Sequence, residues 1–203
     1  MVKPRYFLPQ EFEVSEEFQK ALNEDYNRLI EEPESHIKDR YNIDVSSFYG
    51  PFKIKNPFGK ASGQLSTNKG QVMADIEGGL GFTVLKTVIA EDQDKKAEMD
   101  QWKIHAPKMV VEKLVSNNGE EGYSVVWKGR GWEKSLDDYL DFFDQCLAVA
   151  GEYPIIPSVK YHLPGPSEEY KLGEYTYTTQ KLLEVWKKHK NEDMIMEKDF
   201  SPT

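Results

Sequence analysis

The residues of this chain whose types and spacing could do chemistry are Lys86 and the segment 56–63, which reads NPFGKASG. The small residues Ala61, Ser62 and Gly63 follow an apolar segment, so a strand that ends there leaves backbone N–H groups available to a ligand. A second apolar segment reads GFTVLKTVIA and carries Lys86 near its exit. If both strands end at the same rim, the lysine brings a fixed positive charge to the small-residue turn, where it can stabilise negative charge.

The elements that must position these residues alternate between strands and helices. Predicted strands cover 52–58, 82–89, 155–163 and 194–200, and predicted helices cover 68–77, 135–150 and 178–190. The run 82–89 is almost continuously apolar and β-branched, as in parallel strands that are covered on both faces. Between the second strand and the second helix, 109–115 and 123–127 predict a β-hairpin around the turn Asn118-Gly119. The alternation predicts right-handed β/α crossovers and a parallel sheet.

Residues 1–50 are predicted to form a helical N-terminal extension, followed by a β/α domain over 51–203. Apolar residues recur at helical spacing between Ser15 and Ile30, with Ser15 as the N-cap, and Pro33 is expected to end the helix. Nothing in the extension carries chemistry. We interpret its helix as a packing or docking element.

Composition excludes several classes of function. The net charge of −9 argues against nucleic acid as the main partner, because phosphate neutralisation needs a basic face. No segment approaches the ~20 apolar residues of a membrane span. The single cysteine, Cys146, fits a reducing cytosol, and the four histidines lack metal-ligand spacing, so no metal site is predicted. The sequence therefore predicts a cytoplasmic protein with a small-molecule ligand.

The motifs NPFGKASG and GFTVLKT resemble the first two strands of the dihydroorotate dehydrogenase family, which includes the pyrimidine-reducing domain of dihydropyrimidine dehydrogenase. The resemblance implies an FMN-dependent oxidoreductase of pyrimidine biosynthesis that oxidises dihydroorotate, or a related dihydropyrimidine, by hydride transfer to FMN. It also implies an α/β fold of the (β/α)8 TIM-barrel type. A closed barrel takes ~250 residues. This chain completes about four β/α units plus a hairpin insertion, so the resemblance covers the N-terminal half of that barrel.

Cofactor-binding roles follow from the resemblance. It implies that Ala61, Ser62 and Gly63 lie beneath the flavin ring, that Lys86 faces the pyrimidine edge of the flavin and the substrate, and that Thr87 assists it. A flat ring needs small side chains there, and the lysine would stabilise negative charge on the reduced ring. The alternatives are an ordinary glycine-containing βα turn and a lysine that reaches solvent from the edge of its strand.

The resemblance also assigns the catalytic base. Ser201 falls on the family residue that removes a proton from the substrate carbon while hydride passes to the flavin. A serine is a weak base and needs a neighbour or water to accept its proton. Lys198 and Thr203 occupy positions at which family members carry substrate-binding asparagines.

Other departures leave a second function open. The segment 127–132 reads WKGRGW where the family has a ring-binding asparagine, although Arg130 could meet a carboxylate. The phosphate-binding loops of the family come from later strands. The alternative is a non-catalytic half-barrel module or a partner-dependent subunit, whose open strand edges favour a homo-oligomer or a complementing subunit.

Overall fold

A computed structural model describes residues 15–103, 108–128 and 131–201 of the chain, with the side chains of Ile30, Lys108, 126–128 and Ser201 outside that description. The chain divides into two compact units, Met1–Ser46 and Ser47–Thr203. The architecture is mixed α/β, and five α-helices and ten strands lie within the described residues. No helix of that part is long and apolar enough to cross a membrane.

The first unit contains two helices, α1 (Glu16–Glu31) and α2 (Pro33–Tyr41). The Ser15 hydroxyl accepts a hydrogen bond from the backbone N–H of Phe18, so the predicted N-cap is confirmed. The predicted end of the first helix at Pro33 is also confirmed. Pro33 also begins a second helix, which was not predicted from the sequence. Proline suits the first helical position because the N–H group that it lacks would have no partner within the helix there.

Asp25 of α1 ties the two helices together. Its carboxylate accepts hydrogen bonds from the Tyr41 hydroxyl at 2.7 Å and from His36 Nε2 at 2.9 Å, and it pairs with Arg40 Nε at 3.0 Å. The Tyr41 hydrogen bond is the main cause of a pKa for Asp25 below the ordinary carboxyl value of 3.8, with His36 and Arg40 adding to it. The ionised form is therefore held by the second helix.

Replacing Tyr41 by phenylalanine is expected to raise the pKa of Asp25, because the largest cause of the lowered value is removed. A lowered carboxyl pKa stabilises the folded state above pH 3.8, and this contribution is lost as the pH falls through the lowered pKa. An NMR titration of the Asp25 carboxyl carbon in the full chain measures the change. The matched control is Tyr26→Phe, an exposed tyrosine of α1, which should leave the titration unchanged.

The second unit begins with an antiparallel hairpin, β1 (Ser47–Tyr49) and β2 (Phe52–Ile54). The predicted first strand over 52–58 was wrong in its bounds, because its start pairs with β1 and the parallel strand β3 is Gly59–Lys60. The side chain of Asn56 makes the break. Its amide donates to the backbone oxygen of Gly79, and its oxygen accepts from the N–H of Phe58.

Four parallel strands follow in chain order, two of them interrupted. They are β3, then β4 (Phe82–Val84) with β5 (Val88–Ile89), then β8 (Ile155–Ile156) with β9 (Ser158–His162), and finally β10 (Glu197–Ser201). The pairs β3–β4, β4–β8, β5–β9 and β9–β10 are all parallel. Each strand thus lies beside its predecessor, and the described strands form no closed barrel.

Helices connect these strands: α3 (Lys69–Glu77), α4 (Leu136–Ala150) and α5 (Leu172–Trp186). Ser135 and Asp138 form a capping box at the start of α4. The main core is built where α4 and α5 cover the strands, around the fully buried side chains of Tyr139, Phe143 and Trp186. The helices predicted over 68–77 and 135–150 are confirmed within a residue at each end.

The helix predicted over 178–190 was wrong at both ends, since α5 begins at Leu172 and ends at Trp186. Thr178 is buried in the middle of the helix. Its hydroxyl donates to the backbone oxygen of Glu91 at 2.8 Å and accepts from the Glu91 N–H at 3.0 Å. Thr178, the predicted first residue of the helix, instead bonds from the middle of α5 to the backbone of Glu91, shortly after β5. This contact anchors a β-branched and aromatic segment that has low intrinsic helix propensity.

The predicted hairpin is confirmed as β6 (Lys108–Val115) and β7 (Glu121–Lys128). Gly119 has a φ of +79°, which a residue with a side chain adopts only with strain, so the turn needs glycine at that position. The backbone N–H of Gly119 donates to the oxygen of Ser116. Among the described residues these two strands pair only with each other.

Candidate functional site

A cavity of about 430 Å³ lies in the second unit, beside the break between β4 and β5. Its lining comes from the loop that follows β3, from the break itself and from the segment before α4: Gln64, Thr67, Asn68, Lys86, Gly131, Trp132, Glu133 and Lys134. The volume falls within the range of small-molecule sites. The lining combines two carboxamides, a hydroxyl, two lysines, one carboxylate and one indole. The two lysines outnumber the carboxylate, which suits a polar ring that carries negative charge.

Lys86 reaches the cavity because the strand is interrupted at this point. The N–H of Leu85 still donates to the neighbouring strand at Ile156, whereas the N–H of Lys86 donates to the backbone oxygen of Ser66 at 2.9 Å. The backbone thus turns toward the loop after β3. Lys86 is only 7% exposed, and burial lowers the pKa of its ammonium group below the ordinary value of 10.5.

Trp132 forms a rigid wall of the cavity. Its backbone N–H donates to the oxygen of Thr87 at 2.6 Å, and its indole N–H donates to the oxygen of Ser135 at 3.1 Å. The indole stacks on Phe142 with ring centroids 5.2 Å apart and meets Tyr139 edge-on at 5.4 Å. These contacts fix the indole from three sides, so the wall is formed before any ligand arrives.

Gly131 allows this close approach. Its φ is +68°, and a Cβ atom there would lie 2.9 Å from the Ile89 side chain and 3.1 Å from the backbone oxygen of Trp102. A larger residue would therefore push the segment before α4 away from β5. The glycine makes the cavity wall possible by bringing Trp132 against the strand.

A chain of side-chain hydrogen bonds crosses all four parallel strands next to Lys86. Ser62 Oγ lies 2.6 Å from Thr87 Oγ1, and Thr87 Oγ1 lies 3.0 Å from Ser158 Oγ. The Ser158 hydroxyl donates to Glu197 Oε1 at 2.9 Å. We call these four residues the hydroxyl chain. It links the turn after the first parallel strand to the start of the last.

The hydroxyl chain has a direction when Glu197 is a carboxylate. A carboxylate only accepts hydrogen bonds, so the Ser158 hydroxyl donates its one hydrogen bond to Glu197. Ser158 must therefore accept a hydrogen bond from the Thr87 hydroxyl. Because Thr87 donates its one hydrogen bond to Ser158, it accepts a hydrogen bond from the Ser62 hydroxyl. The Ser62 oxygen is left as a hydrogen-bond acceptor for any group that lies on the small-residue turn.

The structure brings together most of the site residues that were predicted from the sequence. Ser62 and Gly63 are half-buried and Ala61 is exposed in the turn after β3, and the Gly63 N–H donates to Ser66 Oγ at 3.1 Å. Ser62 bonds to Thr87, and Lys86 lines the adjacent cavity. The alternative in which Lys86 reaches solvent at a strand edge does not fit its burial.

The last strand differs from the expectation for ligand positions. The hydrogen bonds of Glu197 and Asp199 to β9 place these two side chains on the face that carries Ser158 and Lys160. Lys198 alternates with them and therefore lies on the opposite face, where it is exposed. Ser201 pairs with His162 in the backbone register, but its side chain lies outside the described residues.

Two further positions also fall outside the description, Arg130 and Thr203. The sequence analysis missed most of the cavity lining: Gln64, Thr67, Asn68, Trp132, Glu133 and Lys134. The available signal was position, because all six follow a strand or precede a helix at the rim that carries Lys86. Within the described residues, no group of three His, Cys, Asp or Glu side chains could hold a metal ion.

Comparison of the chain with known proteins identified no relative. No model of a known protein family matches the chain, and no curated protein matches it.

Proposed function

We propose that the chain is an FMN-dependent oxidoreductase of the dihydroorotate dehydrogenase type, which oxidises dihydroorotate or a related dihydropyrimidine. The observation that carries the proposal is the junction of the two motifs. The turn at Ser62 bonds to Thr87, and the next residue toward the N-terminus, Lys86, lines a cavity of about 430 Å³. This juxtaposition is what a flavin site of that type requires.

The order of the strands supports a barrel of the TIM type, of which these units would form the N-terminal part. The four parallel strands lie side by side in chain order, with a helix in each crossover. A barrel places successive strands side by side, whereas a doubly wound sheet reverses direction at a switch point. The site lies at the loops that follow the strands, the usual position of active sites in barrels.

The residues fit a flavin ring at the turn. A Cβ atom built on Gly63 would meet only the Ala61 backbone oxygen, at 3.7 Å, so there is open space above the turn. Ala61, Ser62 and Gly63 are small enough for a flat ring, and Lys86 and Thr87 flank it. FMN, when bound, would accept the hydride from the substrate carbon.

The roles of the protein groups follow from their positions. Lys86 would hold a fixed positive charge against the pyrimidine edge of the bound rings and stabilise developing negative charge there. Trp132 would exclude water from one side of the cavity. Ser201 is assigned by resemblance as the base that takes the proton from the substrate. A base at that position would work from β10, the strand that also carries Glu197.

The cavity offers an alternative source of ring recognition. The segment 127–132 lacks the asparagine of the family pattern, but Gln64 and Asn68 reach the same cavity from the loop after β3. A carboxamide can both donate and accept, as the edge of a dihydropyrimidine requires. The Asn68 oxygen caps α3 by accepting from the Gln71 N–H at 3.0 Å, so Asn68 would act through its NH₂ group. This favours a related ring over dihydroorotate itself. The single cysteine, Cys146, cannot form a disulfide within the chain, which fits our proposal of a reducing cytoplasmic location.

A second candidate is a non-catalytic interaction module with the same scaffold. The observation that favours it is the ion pair between Lys160 and Asp199 at 2.8 Å, on the face of β9 and β10 that carries Ser158 and Glu197. The pair places two fixed charges beside Lys198, which stands where the resemblance implies a substrate-binding asparagine. The module is expected to take up no flavin.

A titration of FMN into the full chain, followed by quenching of flavin fluorescence, tests the proposal. We expect saturable binding, and we expect Gly63→Gln to weaken it at least about tenfold because the new side chain occupies the space of the ring. The matched control is Gly122→Gln on β7, where a Cβ atom meets no heavy atom within 4 Å. This control should bind FMN like the wild type.

Two outcomes would overturn the proposal. One is a wild-type chain that takes up no FMN, which would favour the interaction module. The other is equal affinity for FMN in the wild type and Gly63→Gln, which would place any flavin elsewhere. Circular dichroism of both glycine variants separates a blocked site from a misfolded chain.

A further inference from the structure

The hairpin formed by β6 and β7 presents an exposed apolar face. Met109, Val111 and Val115 alternate along β6, and Tyr123 and Val125 lie on β7. The register pairs Val111 with Val125 and Lys113 with Tyr123, so all of these side chains share one face. The five apolar side chains are between 60% and 71% exposed. We call this surface the hairpin face.

A surface of this kind needs a cover. A two-stranded hairpin is only marginally stable in water without further strands or a packed face. Every residue from 111 to 123 is exposed, so the described body of the protein does not supply that packing. Clustered apolar side chains on a strand face mark interaction surfaces.

The charges of the hairpin fit a second copy of the same chain. The whole chain carries a net charge of −9, so two copies repel each other over most surfaces. The hairpin itself is neutral, because its charged residues are three lysines and three glutamates: Lys108, Glu112, Lys113, Glu120, Glu121 and Lys128. Copies that approach at this place therefore meet a surface with no net local charge.

The hairpin face is also complementary to itself. Among its apolar residues it carries one pair of opposite charges, Lys113 and Glu121, 2.7 Å apart. In a twofold interface the same patch meets itself, so each lysine can approach the glutamate of the other copy. A patch that carried only one sign of charge would repel its own copy.

The available area suffices for such an interface. A specific interface needs about 1,000 Å² in total, which is about 500 Å² from each copy. The five apolar side chains would have to contribute about 100 Å² each on average, so the exposed tyrosine and methionine must supply more than the three valines. The polar edge of the hairpin would add to it.

We infer that the hairpin face is a homodimer interface, in which two copies of this chain pack their hairpins face to face about a twofold axis. The two hairpins then form a small sandwich with Val111 and Tyr123 near its centre. The interface does not involve the cavity beside Lys86, so it is independent of flavin binding.

Sedimentation velocity of the full chain at a series of concentrations tests the inference. We expect a reversible dimer, and we expect Val111→Lys to raise its dissociation constant at least about tenfold, since a buried ammonium group is costly. The matched control is Leu114→Lys on the same strand. Leu114 is also exposed but lies on the opposite face, so the dimer should persist.

Each other result contradicts the inference. A wild-type chain that stays monomeric, or that dimerises equally well with Val111→Lys, removes the hairpin face from the interface. Dissociation by Leu114→Lys alone would assign the contact to the opposite face. Unchanged far-UV circular dichroism and an unchanged unfolding midpoint in both variants show that the domain is intact; tryptophan fluorescence is unsuitable, because Trp127 lies on β7 opposite Met109.

Discussion

Replacing Lys86 by methionine is expected to weaken FMN binding about 10- to 100-fold. A hydrogen bond to a charged group contributes about 1.5–3 kcal/mol, and each 1.4 kcal/mol is a factor of ten in affinity. Lys86 is buried beside the cavity, where a charge acts with little screening by water. Methionine keeps the length and the apolar stem of the side chain, so the packing around it changes little. The FMN titration measures the loss.

Lys134→Met is the matched control for this change. Lys134 lines the same cavity but is exposed, and an exposed charge contributes only about 0–1 kcal/mol to an ion pair. We therefore expect its loss to weaken FMN binding by less than about tenfold. Equal effects of the two substitutions would mean that the cavity attracts anions by its overall charge, and Lys86 would have no special role.

The pH dependence gives a second test of Lys86. Because burial lowers the pKa of Lys86, the ammonium group loses its positive charge at a pH below 10.5, the ordinary pKa of a lysine. FMN binding should therefore weaken as the pH rises through the lowered pKa. Between that pKa and 10.5 the unfolded chain binds more protons than the folded one, so folding stability from this group rises with pH. Binding and stability thus move in opposite directions. Both effects should be missing in Lys86→Met.

The second large effect is expected in the hydroxyl chain. Ser158→Ala removes the donor to Glu197 and the partner of the buried Thr87 hydroxyl, so we expect a loss of about 1–3 kcal/mol in the free energy of unfolding. Thr87→Val should cost a similar amount, because it cuts the chain at the neighbouring position. Denaturation followed by tryptophan fluorescence reports on the second unit alone.

The double variant of Ser158 and Thr87 tests whether the two hydroxyls act together. Each single change leaves a polar group without its partner, so the double variant should cost about 1 kcal/mol less than the sum of the two. The control pair is Ser158→Ala with Thr178→Val, since the Thr178 hydroxyl bonds to the backbone of Glu91. That pair should be additive. Additivity in both pairs would contradict a connected chain.

Local signals in the sequence predicted much of the fold. Ser15 and Ser135 mark helix starts because a serine oxygen binds a free N–H of the first turn. Asn118-Gly119 marks the hairpin turn because glycine accepts the positive φ. These features depend on residues within one turn of each other, so the sequence alone is enough to recognise them.

Features that depend on distant partners could not be predicted in this way. The start of α5 was placed six residues too late because Thr178 binds Glu91, which lies far away in the sequence. The bounds of the first parallel strand were wrong because Asn56 bonds to Gly79 and breaks the run. In both cases a polar side chain has a tertiary partner that local propensity does not contain.

The residues of the candidate site also differ in whether local sequence is enough to recognise them. Lys86 and Ser62 stand in recognisable motifs, and the structure brings their two segments together. Trp132 escaped notice because only the φ of Gly131 and the Thr87 backbone oxygen bring it to the cavity. Motif residues can be recognised from the sequence, whereas the residues that enclose them depend on how the loops fold over the strands.

The hydroxyl chain makes the first strand sensitive to the charge on the last. If Glu197 is protonated, its carboxyl O–H can donate a hydrogen bond to Ser158. The direction of every hydrogen bond in the hydroxyl chain can then reverse, because each hydroxyl donates only one. Ser62 would then offer a donor where it had offered an acceptor. A ligand on the turn would sense the protonation of a carboxyl group three strands away, although no heavy atom between them had moved.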